Sequence, residues 1–152
     1  MDIKLIDNGN GGDAVFTGTD LKVIYGWENM PYLAMVGGNV ESNTIEFNDG
    51  EQRFDYWGNA LFNPRNESIQ FNSDFERLLN EVAITSASRV LMEQTITSDL
   101  RFMKEFSTVT VGVSVLGLDR IQILIKVQEP DNLQSNEFIY LWDSTQNELI
   151  SQ

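Results

Sequence analysis

The sequence predicts an α+β domain with an N-terminal β-hairpin, central helices and a C-terminal antiparallel β-meander. Three observations point there. Short alternating segments separated by glycine and aspartate open the chain, a helix-start pattern begins at Ser73, and β-branched and aromatic runs separated by turn formers follow residue 107. The length of 152 residues suits one domain, 1–152, divided into a hairpin region 1–25, a helical region 73–105 and C-terminal strands 107–143.

Residues 2–6 alternate polar and apolar side chains, which suggests a short strand. Asp7-Asn8-Gly9-Asn10-Gly11-Gly12-Asp13 is a glycine-rich turn. Ala14-Val15-Phe16 and Leu21-Lys22-Val23-Ile24-Tyr25 read as strands joined by Thr17-Gly18-Thr19-Asp20. Pro31 suits the first turn of a short helix through Met35, ended by Gly37-Gly38. Val40, Ile45 and Phe47 are strand candidates ahead of a turn at Asn48-Asp49-Gly50. Ser73 and Glu76 have capping-box spacing, and Phe75, Leu78, Leu79 and Val82 follow as one apolar helical stripe. Thr85-Ser86-Ala87-Ser88 weakens that helix and offers a new cap. Val90 and Leu91 are expected to continue the apolar face, with Arg89 and Glu93 as an i,i+4 pair. Thr97 or Ser98 is a candidate cap for a further turn through Leu100, Phe102 and Met103.

The last third has the clearest pattern. Residues 108–115, Thr-Val-Thr-Val-Gly-Val-Ser-Val, alternate with period two and are rich in β-branched side chains. Gly117-Leu118-Asp119-Arg120 turns the chain into a returning strand over 121–127. Pro130-Asp131-Asn132 ends that strand, and Phe138-Ile139-Tyr140-Leu141-Trp142 supplies a third.

Composition excludes several chemistries. With no cysteine and no histidine, the chain has no disulfide, thiolate metal site, cysteine nucleophile or histidine base. Twenty-three acidic against 10 basic residues give a formal net charge of −13, which repels nucleic acid and suits either a basic protein partner or a solvated surface. No run approaches a bilayer span, and the N-terminus lacks the basic and long apolar regions of a signal peptide, so an unexported chain is expected. Asp7, Asn8, Asn10 and Asp13 superficially resemble a calcium loop. Starting that loop at Asp7 puts Gly9 and Gly11 at ligand positions and Gly18 where a bidentate glutamate belongs, so a plain turn is expected and no metal or cofactor. Glu46, Asp49, Glu51 and Asp55 cluster, but nothing in the sequence separates an acid from a base among them.

Arg53-Phe54-Asp55-Tyr56-Trp57-Gly58-Asn59 packs three aromatics, an arginine and a glycine into seven residues. Its aromatics are either core plugs beside a turn or interface anchors. Here the chain resembles the small baseplate wedge family of Mu-like phages, relatives of the sheath-initiator subunit of T-even contractile tails. The resemblance follows the order of elements: an aspartate- and glycine-rich hairpin over 7–21, an acidic loop leading into Arg53, Phe54, Tyr56, Trp57 and Gly58, then helices, paired strands and an aromatic strand ending at Tyr140-Leu141-Trp142.

The resemblance implies a non-enzymatic subunit of the virion tail baseplate, assembled in the host cytoplasm. Its implied partners are other wedge subunits, tail tube or hub proteins and sheath protein, with six copies around the tail and neither nucleic acid nor membrane. Two alternatives remain: an interaction module of another virion or injection complex, and a tail-associated peptidoglycan hydrolase. Phe138, Ile139, Tyr140, Leu141 and Trp142 form a strand apolar on both faces. Such a strand needs a cover, so it is a candidate to sit centrally in a sheet that receives a sheath strand; the alternative is that it is internal to the domain and the sheath docks elsewhere.

Overall fold

The computed structural model describes residues 2–7, 12–24, 27–36, 73–131, 134–146 and 148–151. It contains both helices and strands in the α+β arrangement. Residues 37–72 lie outside the description. With them lie the expected strand at Val40, Ile45 and Phe47, the carboxylates Glu46, Asp49, Glu51 and Asp55, and the motif residues Arg53, Phe54, Tyr56, Trp57 and Gly58.

The N-terminal region is more than a hairpin. Among the described residues it has six short strands: β1 (Asp2–Ile3), β2 (Leu5–Asp7), β3 (Gly12–Ala14), β4 (Phe16–Thr17), β5 (Asp20–Leu21) and β6 (Val23–Ile24). They pair β1 with β6, β2 with β3 and β4 with β5, all antiparallel. Each of three chain segments therefore divides its pairing between two neighbours, and three arms meet at Lys4, Val15 and Lys22. A closed ring of backbone hydrogen bonds joins the arms: Lys4 N–H donates to Lys22 C=O (2.8 Å), Lys22 N–H to Val15 C=O (2.7 Å) and Val15 N–H to Lys4 C=O (3.0 Å). Splitting the pairing lets short strands satisfy polar groups on both of their edges. The β4–β5 turn needs Gly18, whose φ of 67° lies in the left-handed region.

Asn29 ties this junction to the body. It opens α1 (Asn29–Val36), is buried, and copies a strand with its side-chain amide. Its Oδ1 accepts Leu5 N–H (3.2 Å), and its Nδ2 donates to Ile3 C=O (2.6 Å) and to the Asp2 carboxylate (2.8 Å). Lys4 meets Glu28 alongside at 3.4 Å. Pro31 sits in the first turn of α1, where a missing N–H costs nothing.

The helices α2 (Asp74–Glu81) and α3 (Ser86–Asp99) follow, then a 3-10 turn over Arg101–Glu105. Ser73 precedes α2, but its side chain makes no capping bond, contrary to the capping-box spacing. The acceptor comes instead from Asp99 at the far end of α3, whose Oδ2 takes Phe75 N–H at 2.9 Å. The second cap forms as its spacing suggests: Thr85 Oγ1 accepts Ser88 N–H (3.0 Å), and Ser88 Oγ accepts Thr85 N–H (2.8 Å). Thr85→Ala should cost about 1 kcal/mol in denaturant unfolding, the usual value of an N-cap hydroxyl.

Two helical expectations fail. Val90 and Leu91 are 44% and 45% exposed, while Met92, Ile96 and Leu100 fill the core. The helix break after Glu81 resets the rotational phase, so the α2 stripe does not run on into α3. Nor does Thr97 or Ser98 start a new helix. Thr97 Oγ1 donates back to Glu93 C=O (2.6 Å), and α3 runs unbroken to Asp99.

The C-terminal sheet is an antiparallel meander in the order β10-β9-β8-β7. Its strands are β7 (Thr108–Val115), β8 (Arg120–Gln128), β9 (Ser135–Asp143) and β10 (Glu148–Ser151), the last unmarked by the sequence patterns above. One face of β8, made by Ile121, Ile123, Ile125 and Val127, is wholly buried. It shares a core with Val113 of β7, Tyr140 and Trp142 of β9, Leu149 of β10, and Met35, Phe75, Met92, Ile96, Leu100 and Met103 from the helical layer. At the side, Trp27 stacks on Phe106 with centroids 4.9 Å apart, and its indole N–H donates to Glu129 (2.5 Å).

Candidate functional site

Register decides which backbone groups of the sheet are spent and which remain. In β7–β8 the opposed residues run from Thr108↔Gln128 to Val115↔Ile121. Just past the ladder, Leu116 N–H donates to Arg120 C=O at 2.9 Å. Bonded and non-bonded pairs alternate in an antiparallel ladder, so the even-numbered residues of β7 bond to β8. The N–H and C=O groups of Val109, Val111, Val113 and Val115 then face away from the sheet. An independent contact agrees: Val113 N–H donates to Glu93 Oε1 of α3 at 3.0 Å, on the side away from β8.

Among the described residues β7 is therefore the outer strand of the sheet, eight residues without a charge or a proline. Edges of that composition invite pairing with another chain. Of its four outward N–H groups, Val113 alone has a partner among the described residues. That partner is itself positioned. Arg89 Nη1 holds Glu93 Oε1 at 2.5 Å across one helical turn, the pair expected from the spacing. α3 lies along β7 with Met92 and Ile96 turned into the core, and Glu93 on its flank reaches the strand edge.

The five apolar residues singled out in the sequence lie in β9. Phe138, Tyr140 and Trp142 stand opposite Ile125, Ile123 and Ile121, on the core face. Ile139 and Leu141 lie on the other face, where Ile139 opposes Leu124 and Leu141 opposes Gln122 and Ile150. β9 is an interior strand, paired with β8 along its length and with β10 over Tyr140, Leu141, Trp142 and Asp143. The cover that an apolar strand needs thus comes largely from the chain itself. By the same alternation, Ile139 and Leu141 point their N–H groups toward the β10 side, and Ile139 stands one position past the last described β10 pair. The Trp142 indole N–H is buried without an acceptor among the described residues.

Charged groups cluster in two further places. Beside the β9–β10 turn, Asp143 accepts from Thr145 Oγ1 (2.5 Å) and N–H (3.0 Å) and from Arg120 Nε (2.8 Å). Those bonds, the Thr145 hydroxyl foremost, hold its carboxyl below the usual range. A polar cleft of about 270 Å³ separates α2 from α3, lined by Asp74, Arg77, Leu78, Glu81, Gln94, Thr95 and Ser98. Arg77 reaches Asp74 (2.8 Å) and Glu81 (4.0 Å) there. Nearby, burial pushes the Asp99 carboxyl up to about 7, against the bond from Phe75 N–H, with Asp74 raising it further. Among the described residues, no three acidic side chains converge as metal ligands.

The N-terminal arms expose two apolar cross-strand pairs. Phe16 (66% exposed) faces Leu21, and Ile3 faces Val23, all four at the surface.

Neither protein-family models nor curated proteins nor solved structures match the chain.

Sequence reasoning missed the most specific feature of the sheet, Glu93 at the β7 edge. A signal was present: residues 108–115 hold no charge to blunt an edge, so a neighbouring element has to supply one.

Proposed function

We propose that this chain is a non-catalytic structural subunit of a contractile-tail baseplate, bridging wedge proteins, tube and first sheath ring. The supporting observation is the stretch Asp49-Gly50-Glu51-Gln52-Arg53-Phe54-Asp55-Tyr56-Trp57-Gly58-Asn59, set between an aspartate- and glycine-rich N-terminal region and an α+β C-terminal half. A four-stranded antiparallel sheet with unspent edge groups suits such a role, because strand addition joins subunits through main-chain bonds. In this proposal the sheet holding β8 and β9 receives a sheath strand, and six copies ring the tail. The same edge groups favour a second reading, an interaction module of another virion or injection complex.

Purified contractile tails decide between them. Quantitative mass spectrometry should find the chain at six copies per tail, and tails lacking it should carry wedges without polymerised sheath. Its absence from purified tails would overturn the baseplate assignment and leave the second reading. The non-catalytic part has its own test: the purified chain should not clear peptidoglycan, and Glu46→Gln and Glu51→Gln should leave particle infectivity unchanged. Lytic activity lost in either variant would establish the hydrolase instead.

A further inference from the structure

We infer that the outer face of the C-terminal sheet packs on the same face of a second copy of this chain, as a reversible two-fold sandwich whose axis runs along the strands between β8 and β9. The proposal goes beyond the baseplate assignment and uses the face of the sheet rather than its edges.

One face of the sheet is spent on the core. The other carries Leu124 of β8, Ile139 and Leu141 of β9 and Ile150 of β10, and none of these joins the core cluster. Register gathers them, Leu124 opposite Ile139 and Leu141 opposite Ile150. β2 lies against β10, and Ile150 is still exposed. The β7 side of the same face is low: Thr110, Gly112 and Ser114 stand opposite Lys126, Leu124 and Gln122. Where a side chain at Gly112 would begin, no described atom lies within 4 Å.

The charges on this face select the occupant. The chain carries −13, yet here Lys126 pairs with Glu137 (2.6 Å) and Arg120 with Asp143 (2.8 Å), with Glu148 as one further acid at the corner. Such a face gives a strongly basic partner little to match, and it complements itself. A two-fold axis along the strands exchanges β7 with β10 and β8 with β9 and keeps each residue at its level. Lys126 then faces Glu137 of the second copy, and Leu124 faces its Ile139. Ile150 comes over Ser114 of that copy, with its Gly112 alongside. One operation thus sets cation against carboxylate and the bulky half of the face over the low half. An axis across the strands would instead stack bulky on bulky. Lys126 and Glu137 are 44% and 47% exposed, so each can take a second partner.

The strand lengths, at about 3.4 Å per residue and about 4.8 Å between strands, give a face of roughly 450 Å² in projection. Two such faces reach the lower end of specific interfaces, which suits a reversible dimer rather than a permanent one.

The test is sedimentation equilibrium of the full chain over a concentration series, which should show monomer and dimer exchanging. Gly112→Tyr should keep or raise the thermal midpoint, because tyrosine suits a strand better than glycine and the space is open. It should weaken the dimer about tenfold or more, because the ring fills room that the second copy needs. Lys126→Glu and Glu137→Lys should each weaken self-association about tenfold or more, through like charges set face to face. Mixing those two variants should restore association as a heterodimer, since each supplies the charge the other lacks. Rescue on mixing requires the two positions to meet across copies, so the pair within one chain cannot produce it. A chain that stays monomeric throughout leaves the face to another occupant and would overturn the proposal. A dimer untouched by Gly112→Tyr, or charge reversals that mixing does not rescue, would overturn it equally.

Discussion

Asp99→Asn should be more stable than the wild-type chain at pH 8 by about 1–3 kcal/mol, and the difference should vanish toward pH 4. Asp99 ends α3 yet caps α2, since its carboxylate accepts the Phe75 N–H that Ser73 leaves without a side-chain cap. Burial raises its carboxyl to about 7 from 3.8; Phe75 N–H opposes the shift, Asp74 adds to it, and Arg101 draws it back. The sign follows from proton binding. Between pH 3.8 and 7 the folded chain holds a proton on Asp99 that the unfolded chain has released, so stability declines as pH rises through that window. The full shift corresponds to about 4 kcal/mol, and partial solvent access at Asp99 reduces it to the smaller range.

Asparagine keeps an oxygen for Phe75 N–H and cannot ionise. Chemical denaturation at half-unit pH steps should show a falling wild-type profile between pH 4 and 8 and a flat one for Asp99→Asn. Parallel profiles would mean that Asp99 is solvated and the cross-helix cap adds nothing. Asp143 does not interfere. Its carboxyl is held below the usual range, so its contribution is present above the unfolded pKa and is lost as pH falls through its folded value, below the Asp99 window.

Asn29→Ala should cost about 2–4 kcal/mol, through three hydrogen bonds lost from a buried side-chain amide, each worth about 0.5–1.5 kcal/mol. The substitution releases Leu5 N–H, Ile3 C=O and the Asp2 carboxylate together. Amide exchange should localise the damage. Lys4, Val15 and Lys22, which close the three-way ring, should exchange rapidly, while Ile123 and Tyr140 amides in the sheet keep their protection. Asn29→Asp retains an acceptor for Leu5 N–H but loses both donors and sets a second carboxylate against Asp2. It should be no better than alanine at neutral pH. Uniform loss of protection in the sheet and the junction alike would show instead that the two regions unfold as one unit.

The periodic elements were legible because their cause is local. Alternating valines at 109–115 and isoleucines at 121–125 report a half-buried sheet, and Thr85 with Ser88 reports a helix start within four residues. A turn at Gly18 is similarly readable, since backbone conformation at such a position depends on one or two side chains. From these alone the chain determined its α+β class and most strand positions.

What only the tertiary structure decided involves partners distant in the sequence. Asp99 caps α2 from 24 residues away, where local spacing pointed to Ser73. Asn29 binds a strand 24 to 27 residues earlier. Glu93 accepts the Val113 N–H, 20 residues on, although its neighbours showed only a surface pair with Arg89. Phe138, Ile139, Tyr140, Leu141 and Trp142 read as a strand in need of cover, and much of that cover is β10, a four-residue strand too short for any period to announce. In each case a polar group or strand edge is satisfied across the fold. Sequence spacing records which groups a segment can offer; which of them meet is settled when the helical layer closes over the sheet.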